Sequence, residues 1–211
     1  MTVQPISTIS GPAAALLRAN IDTDVIIRVD RMLSADPVKL APFAFEALRY
    51  RNDGTANPDF VLNDDRFRNA PILIAGANFG CGSSREPAVW AITGLGVRCI
   101  IAPSFGDIFQ ANCFQNGVLP IVLEATDITA LADIATDGSP LKVDLPAQTI
   151  TTADRSWTFT IAELHKTALL NGLDDLDLAL RHIDAVRAWE AHDRTERPWA
   201  WTTTRQDRNP A

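Results

Sequence analysis

Ile72-Leu-Ile-Ala-Gly-Ala-Asn-Phe-Gly-Cys-Gly-Ser-Ser-Arg-Glu-Pro-Ala-Val-Trp90 decides the fold. Ile72–Ala75 is short and wholly apolar, which is how a strand buried on both faces reads. Residues 76–82 contain three glycines, which open backbone conformations closed to other residues. Residues 85–93 then read as a helix. Further along, 97–102 reads as a second strand. Asp107–Gln115 reads as a second helix with Gly117 as its stop. A third strand is expected at 118–123 and a helix near 127–135. Strand and helix alternate at short spacing, the pattern of a mostly parallel α/β layer.

The flanks differ in character. The N-terminal third reads as irregular, with a turn-rich loop Ala19-Asn-Ile-Asp-Thr-Asp-Val-Ile-Ile27. A helix is expected at about 39–49 and a loop at 52–59. After Gly138-Ser-Pro140, the runs 141–145, 149–152 and 157–161 are short, β-branched and aromatic, an antiparallel insert at about 139–161. Helices follow at 162–170 and 183–193. The expected organisation is one α/β domain over 1–193 and an irregular tail at 194–211. Trp199 and Trp201 in that tail suggest docking on this chain or on a partner.

Composition narrows the function. The 211 residues are 46% hydrophobic and 21% charged, an ordinary folded chain. No apolar run reaches the roughly 18 residues of a membrane span. The first residues lack a basic segment followed by an apolar core, so no secretory signal is expected, and the three widely spaced cysteines point to a reducing cytoplasm. The net charge of −7 argues against nucleic acid as a partner. Cys81, Cys99 and Cys113 are odd in number and widely spaced, so neither a disulfide framework nor a metal-ligand set is expected in this chain.

The chemistry concentrates at 82–86. Ser83 or Ser84 is a natural N-cap, and the N–H groups of a helix start beside Arg85 form an anion site. Arg85 can grip a carboxylate with two parallel bonds. The plain alternative is a capped α/β turn with Arg85 in a surface ion pair. A phosphate-binding loop lacks its lysine here, and a serine-hydrolase elbow lacks its second glycine. His165, His182 and His192 all fall in the C-terminal helices, away from the serines in sequence.

The stretch Asn78-Phe-Gly-Cys-Gly-Ser-Ser-Arg-Glu86 resembles the signature of the 3-isopropylmalate dehydratase small-subunit family, in the aconitase superfamily. Three further segments agree in order. Residues 19–27 resemble that family's Asn-x-Asp-Thr-Asp loop, 101–120 match the strand and helix after the signature, and Leu170-Asn-Gly-Leu-Asp-Asp175 matches a late turn. The resemblance covers about residues 10–192. It implies the swivelling β/β/α fold of the mobile fourth domain of aconitase. It also implies a separate large subunit that carries the [4Fe–4S] cluster, with none bound here. The implied reaction removes water from a small dicarboxylate, 2-isopropylmalate, and adds it back on the neighbouring carbon, in leucine biosynthesis. By the same resemblance Ser83 matches the catalytic base and Arg85 the substrate-carboxylate arginine. Ser84 and Gly82 match supporting groups, and Asn20, Asp22, Thr23 and Asp24 belong to the loop lining the cleft.

Two positions depart from the family's pattern. Pro87 stands where histidine is usual, and Arg28 where proline is usual, in a region the resemblance associates with substrate choice. Arg28 or Arg31 turned inward would favour a polar substituent; turned outward, each faces solvent or the large subunit. Two other functions fit the same residues: a related hydro-lyase subunit acting on methylmalate/citraconate or a tricarboxylate, and a catalytically silent partner-binding module. Whether the isolated chain self-associates is left open by the sequence.

Overall fold

The computed structural model describes residues 3–32, 34 and 36–201, which divide into compact units at 1–174 and 175–211. In the first unit the elements run β1 (Thr8–Gly11), β2 (Ala13–Leu16), α1 (Thr23–Ile26), α2 (Pro37–Leu40), α3 (Glu46–Arg49), β3 (Ile72–Ala75), α4 (Glu86–Gly94), β4 (Cys99–Ala102) and α5 (Asp107–Gln115). They continue with β5 (Leu119–Val122), α6 (Ala125–Ala135), β6 (Leu141–Asp144), β7 (Thr149–Thr151), β8 (Ser156–Thr158) and α7 (Glu163–Asn171).

The apolar runs form one parallel sheet in the order β2-β3-β4-β5. Because side chains alternate along a strand, each run supplies both faces. Leu73, Ala75, Ile100 and Ala102 face a core shared with Ile26, Leu40, Ala88, Ile92 and Phe109 of the helices α1, α2, α4 and α5. Ile72, Ile74, Cys99, Ile101, Leu119 and Ile121 face a second core, shared with α6 and with a second sheet. That sheet is antiparallel, in the order β1-β6-β7-β8, and contributes Ile9, Leu141, Val143 and Ile150. The layers are therefore β/β/α, as the resemblance implies. Pro120 is tolerated because β5 is an edge strand.

Several expectations change. The N-terminal third is not irregular: β1 and β2 each take an edge of a different sheet, and the chain passes between them at Gly11-Pro12. A Cβ on Gly11 would lie 2.8 Å from the Pro71 ring. The single helix expected at 39–49 is broken into α2, a 3-10 turn at Ala41–Phe43, and α3. Pro42, which has no N–H for a continuing helix, and Phe45 both lie in the break. Phe45 sits in the left-handed region at φ 54°, fully buried against Phe60. Gly117 ends α5 as expected, with φ +67° and a bond from the Val118 N–H to the Cys113 carbonyl.

The second unit contains α8 (Asp175–Leu180), which the sequence reading did not place, and α9 (Ile183–Glu196). The boundary expected at 193/194 falls inside α9. Asp193 explains why: it accepts from Arg197 Nε at 2.7 Å and from the Trp201 indole at 3.0 Å. The Arg194 guanidinium lies 4.2 Å from the centre of the Trp201 ring. These bonds carry order past Glu196 into a 3-10 turn at Pro198–Ala200. Trp201 thus docks on its own unit, while Trp199 and Trp189 are exposed. The rest of the expected tail, 202–211, lies outside the described residues.

Gly94, in the last turn of α4, allows α2 to approach closely. A Cβ there would lie 2.1 Å from the Pro37 carbonyl oxygen. Alanine gains about 1 kcal/mol over glycine in a helix. Overlap with fixed backbone costs more, about 1–3 kcal/mol. Gly94→Ala is expected to lower the urea midpoint of unfolding; a raised midpoint would show that α2 moves away freely.

Candidate active site

The loops at the carboxyl ends of β2, β3 and β4 meet, the place where open α/β sheets bind ligands. The glycine loop after β3 lies between the other two and is hydrogen-bonded to both. On one side the Gly80 N–H donates to the Ile21 carbonyl at 2.7 Å, and the Thr23 N–H donates to the Cys81 carbonyl at 2.9 Å. On the other, the Asn78 N–H donates to Ser104 Oγ at 2.8 Å, and the Gly106 N–H to the Phe79 carbonyl at 2.9 Å. Gly80 is required by its surroundings: it has φ +71°, and a Cβ would lie 2.1 Å from the Phe109 ring.

This arrangement brings the residues singled out in sequence together, with one exception. Asp22 caps α1, accepting from the Val25 N–H at 2.7 Å. Thr23 is buried, and its hydroxyl donates to the Ser83 carbonyl at 2.9 Å. Asp24, in the first turn of α1, pairs with Nη1 of Arg85. Gly82 has φ +92° and its open side faces Asp22. Asn20 accepts from the Asn78 side chain at 2.8 Å, at the base of the same loop. Ser83 and Ser84 are exposed, and neither hydroxyl is bonded to any described residue. Arg28 is the exception in forming no hydrogen bond to this group. Its guanidinium forms two bonds to Asp30, at 3.0 and 3.1 Å, and is 57% exposed. Arg31 pairs with Glu46 in the same manner and lies over the Phe43 ring. Both arginines that raised the question of substrate choice have carboxylate partners on their own side of the chain.

Neither serine is the N-cap of α4. Arg85 occupies that position, with no side-chain cap bond. The reason lies in the next residues. Pro87 sits at the second helical position and has no N–H to offer. The Ala88 N–H is bonded to the Arg85 carbonyl at 3.1 Å. The serine hydroxyls are thereby left uncommitted beside a helix start, whose partial positive charge favours an anion. Pro87, one of the two residues that depart from the resemblance, contributes no N–H to that helix start.

The sequence reading named Ser104 and Gly106 only within a longer match and gave them no role. They clamp the glycine loop from the β4 side. A Cβ on Gly106 would lie 2.6 Å from the Gly80 carbonyl oxygen. The signal was Ser-Phe-Gly-Asp directly between a strand and a helix. Among the described residues no cluster of His, Cys, Asp or Glu could hold a metal ion. Cys99 and Cys113 are fully buried, and burial pushes both thiols up, away from the thiolate that a metal needs. No described helix is long and apolar enough to cross a membrane.

Comparison with known proteins agrees with this geometry. Residues 3–126 match the aconitase C-terminal domain, and 130–163 match a LeuD_N model. The 3-isopropylmalate dehydratase small subunit of Sinorhizobium fredii is 48% identical over 195 residues, spanning 91% of this chain and 97% of that protein. That of Paramagnetospirillum magneticum is 46% identical over 200 residues, spanning 93% of this chain and 100% of that protein. The crystal structure of a 3-isopropylmalate dehydratase from Methanocaldococcus jannaschii superposes with a TM-score of 0.65 at 27% identity. It covers 86% of this chain and 99% of that one. With these relatives along almost its whole length, and with the loops built as described, the chain belongs to the 3-isopropylmalate dehydratase small-subunit family of the aconitase superfamily.

Proposed function

We propose that the chain is the small subunit of a 3-isopropylmalate dehydratase, converting 2-isopropylmalate to 3-isopropylmalate together with a large subunit in the cytoplasm. The observation that carries this reading is the group at 83–85. An arginine whose side chain is largely buried stands beside two exposed, uncommitted hydroxyls at an uncapped helix start. That group recognises a carboxylate and takes a proton beside it. The two serines are exposed, as part of a half-site completed by a second chain must be.

The reaction breaks a C–H bond next to a carboxylate and a C–O bond on the neighbouring carbon. Water then returns with the positions exchanged. Arg85 binds the carboxylate by charge-assisted bonds. Ser83 Oγ takes the proton, and its anionic form is stabilised by Arg85 and by the start of α4. Ser84 donates to the substrate. Thr23 fixes the Ser83 carbonyl and so sets the direction of the loop. In this reading, and in keeping with the lack of a ligand cluster among the described residues, the [4Fe–4S] cluster is carried by the large subunit. When bound there, it supplies a Lewis acid for the departing hydroxyl.

Anaerobic reconstitution with the large subunit of the same organism tests this, with formation of the unsaturated diacid followed by absorbance. Wild type is expected to turn over 2-isopropylmalate, and Ser83→Ala to lose about 10³-fold or more in kcat. Turnover of another malate in its place would change the substrate. An intact cluster with no turnover of any malate would overturn the reading.

Thr23 gives a separate prediction. Thr23→Val removes a buried hydrogen bond, which costs about 1–2 kcal/mol of stability. Misplacement of the serine loop adds a loss of about tenfold in kcat/KM. Thr23→Ser is expected to recover most of both, measured by urea unfolding and by the reconstituted assay.

A further inference from the structure

The geometry points to Asp24 as a positioning residue that presents one edge of Arg85 to the substrate carboxylate. This rests on the substrate reading above. A guanidinium has five N–H donors in a rigid fork, and a carboxylate is best held by two parallel bonds along one edge. Arg85 is only 18% exposed, so most of its side chain is packed away from water. Its one bond to a described residue runs from Nη1 to Asp24 Oδ1. No buried side-chain nitrogen or oxygen lacks a partner among the described residues. The unbonded Nε and Nη2 must therefore reach solvent. They form the Nε–Nη2 edge, one of the two edges along which a guanidinium holds a carboxylate by two parallel bonds. Asp24 takes the one terminal nitrogen that lies off this edge.

The position of Asp24 is itself fixed. The Asp22 carboxylate caps α1, and the Thr23 N–H and hydroxyl bond the Cys81 and Ser83 carbonyls. Asp24 is thus carried on a turn that is stapled to the serine loop on the residue before it. The opposite role, a carboxylate that the substrate must displace, would leave the Nε–Nη2 edge blocked in the free chain. It is open. Asp24 also balances the charge of a packed arginine when no substrate is bound, and it holds the guanidinium plane before the substrate arrives.

The test uses the full chain, free and reconstituted with its large subunit. In the reconstituted enzyme Asp24→Asn is expected to raise the KM for 2-isopropylmalate about tenfold, with a smaller change in kcat. Asp24→Glu, which restores the charge, is expected to recover at least part of that loss. In the free chain, phenylglyoxal labelling of Arg85 is read by peptide mass mapping. Asp24→Asn is expected to label Arg85 several-fold faster, with Arg98 unchanged as the internal reference. An unchanged labelling rate overturns the hold of Asp24 on Arg85. A KM that is unchanged or lower, in a variant that labels faster, overturns the positioning role and assigns Asp24 as a competitor or bystander. If wild type does not turn over 2-isopropylmalate, the substrate reading fails, and the labelling rates still decide whether Asp24 holds Arg85.

Discussion

The hydrogen bonds that hold the backbone of residues 76–85 are the constraint on which this structure depends. A glycine-rich segment has no side chains to anchor it, and its peptide groups are expensive to leave unpaired once buried. The flanking loops supply the partners: Ile21 and Thr23 from one side, Ser104 and Gly106 from the other. Those loops are in place only because β2, β3 and β4 are neighbours in one sheet. The apolar faces of that sheet therefore do more than stabilise the chain. They bring three loops, far apart in sequence, to within bonding distance at one end.

The electrostatics at that end are finely balanced. Asp24, Glu86 and Asp107 occupy the first turns of α1, α4 and α5, where acidic residues suit the helix dipole. An anionic ligand would be repelled by such a group unless the charges are directed elsewhere. Asp24 is turned to Arg85. Glu86 accepts from the Asn116 side chain at 3.0 Å, and Asn116 in turn accepts from the Trp90 indole at 2.7 Å. These contacts give Asp24 and Glu86 fixed partners.

Much of this was legible in the residues. Ile72–Ala75 and Asp107–Gln115 fall where the apolar pattern puts them, and the other elements of the middle third shift by one or two residues. Burial on both faces leaves a strong mark on short parallel strands, so their sequence shows it directly. Ser83, Ser84, Arg85 and the 20–24 turn were legible as polar groups in glycine- and aspartate-rich loops. β1 and β2 were not, because Ala13-Ala-Ala-Leu16 has little strand propensity of its own and is held by pairing with β3. The break at Phe45 was also hidden, since a left-handed phenylalanine is tolerated only where burial over-determines it.

By itself, then, the sequence determined the alternation of strands and helices and the presence of a glycine-rich loop that carries two serines and an arginine at the start of a helix. Local pattern and residue chemistry suffice for each of these. The tertiary structure decided the rest. It paired Arg28 with Asp30, and it joined Thr23 to Ser83 and Asp24 to Arg85 across about sixty residues. It also moved the cap of α4 from the serines to Arg85. Such pairings depend on which strands are neighbours and where each loop emerges, and no short stretch of sequence carries that information.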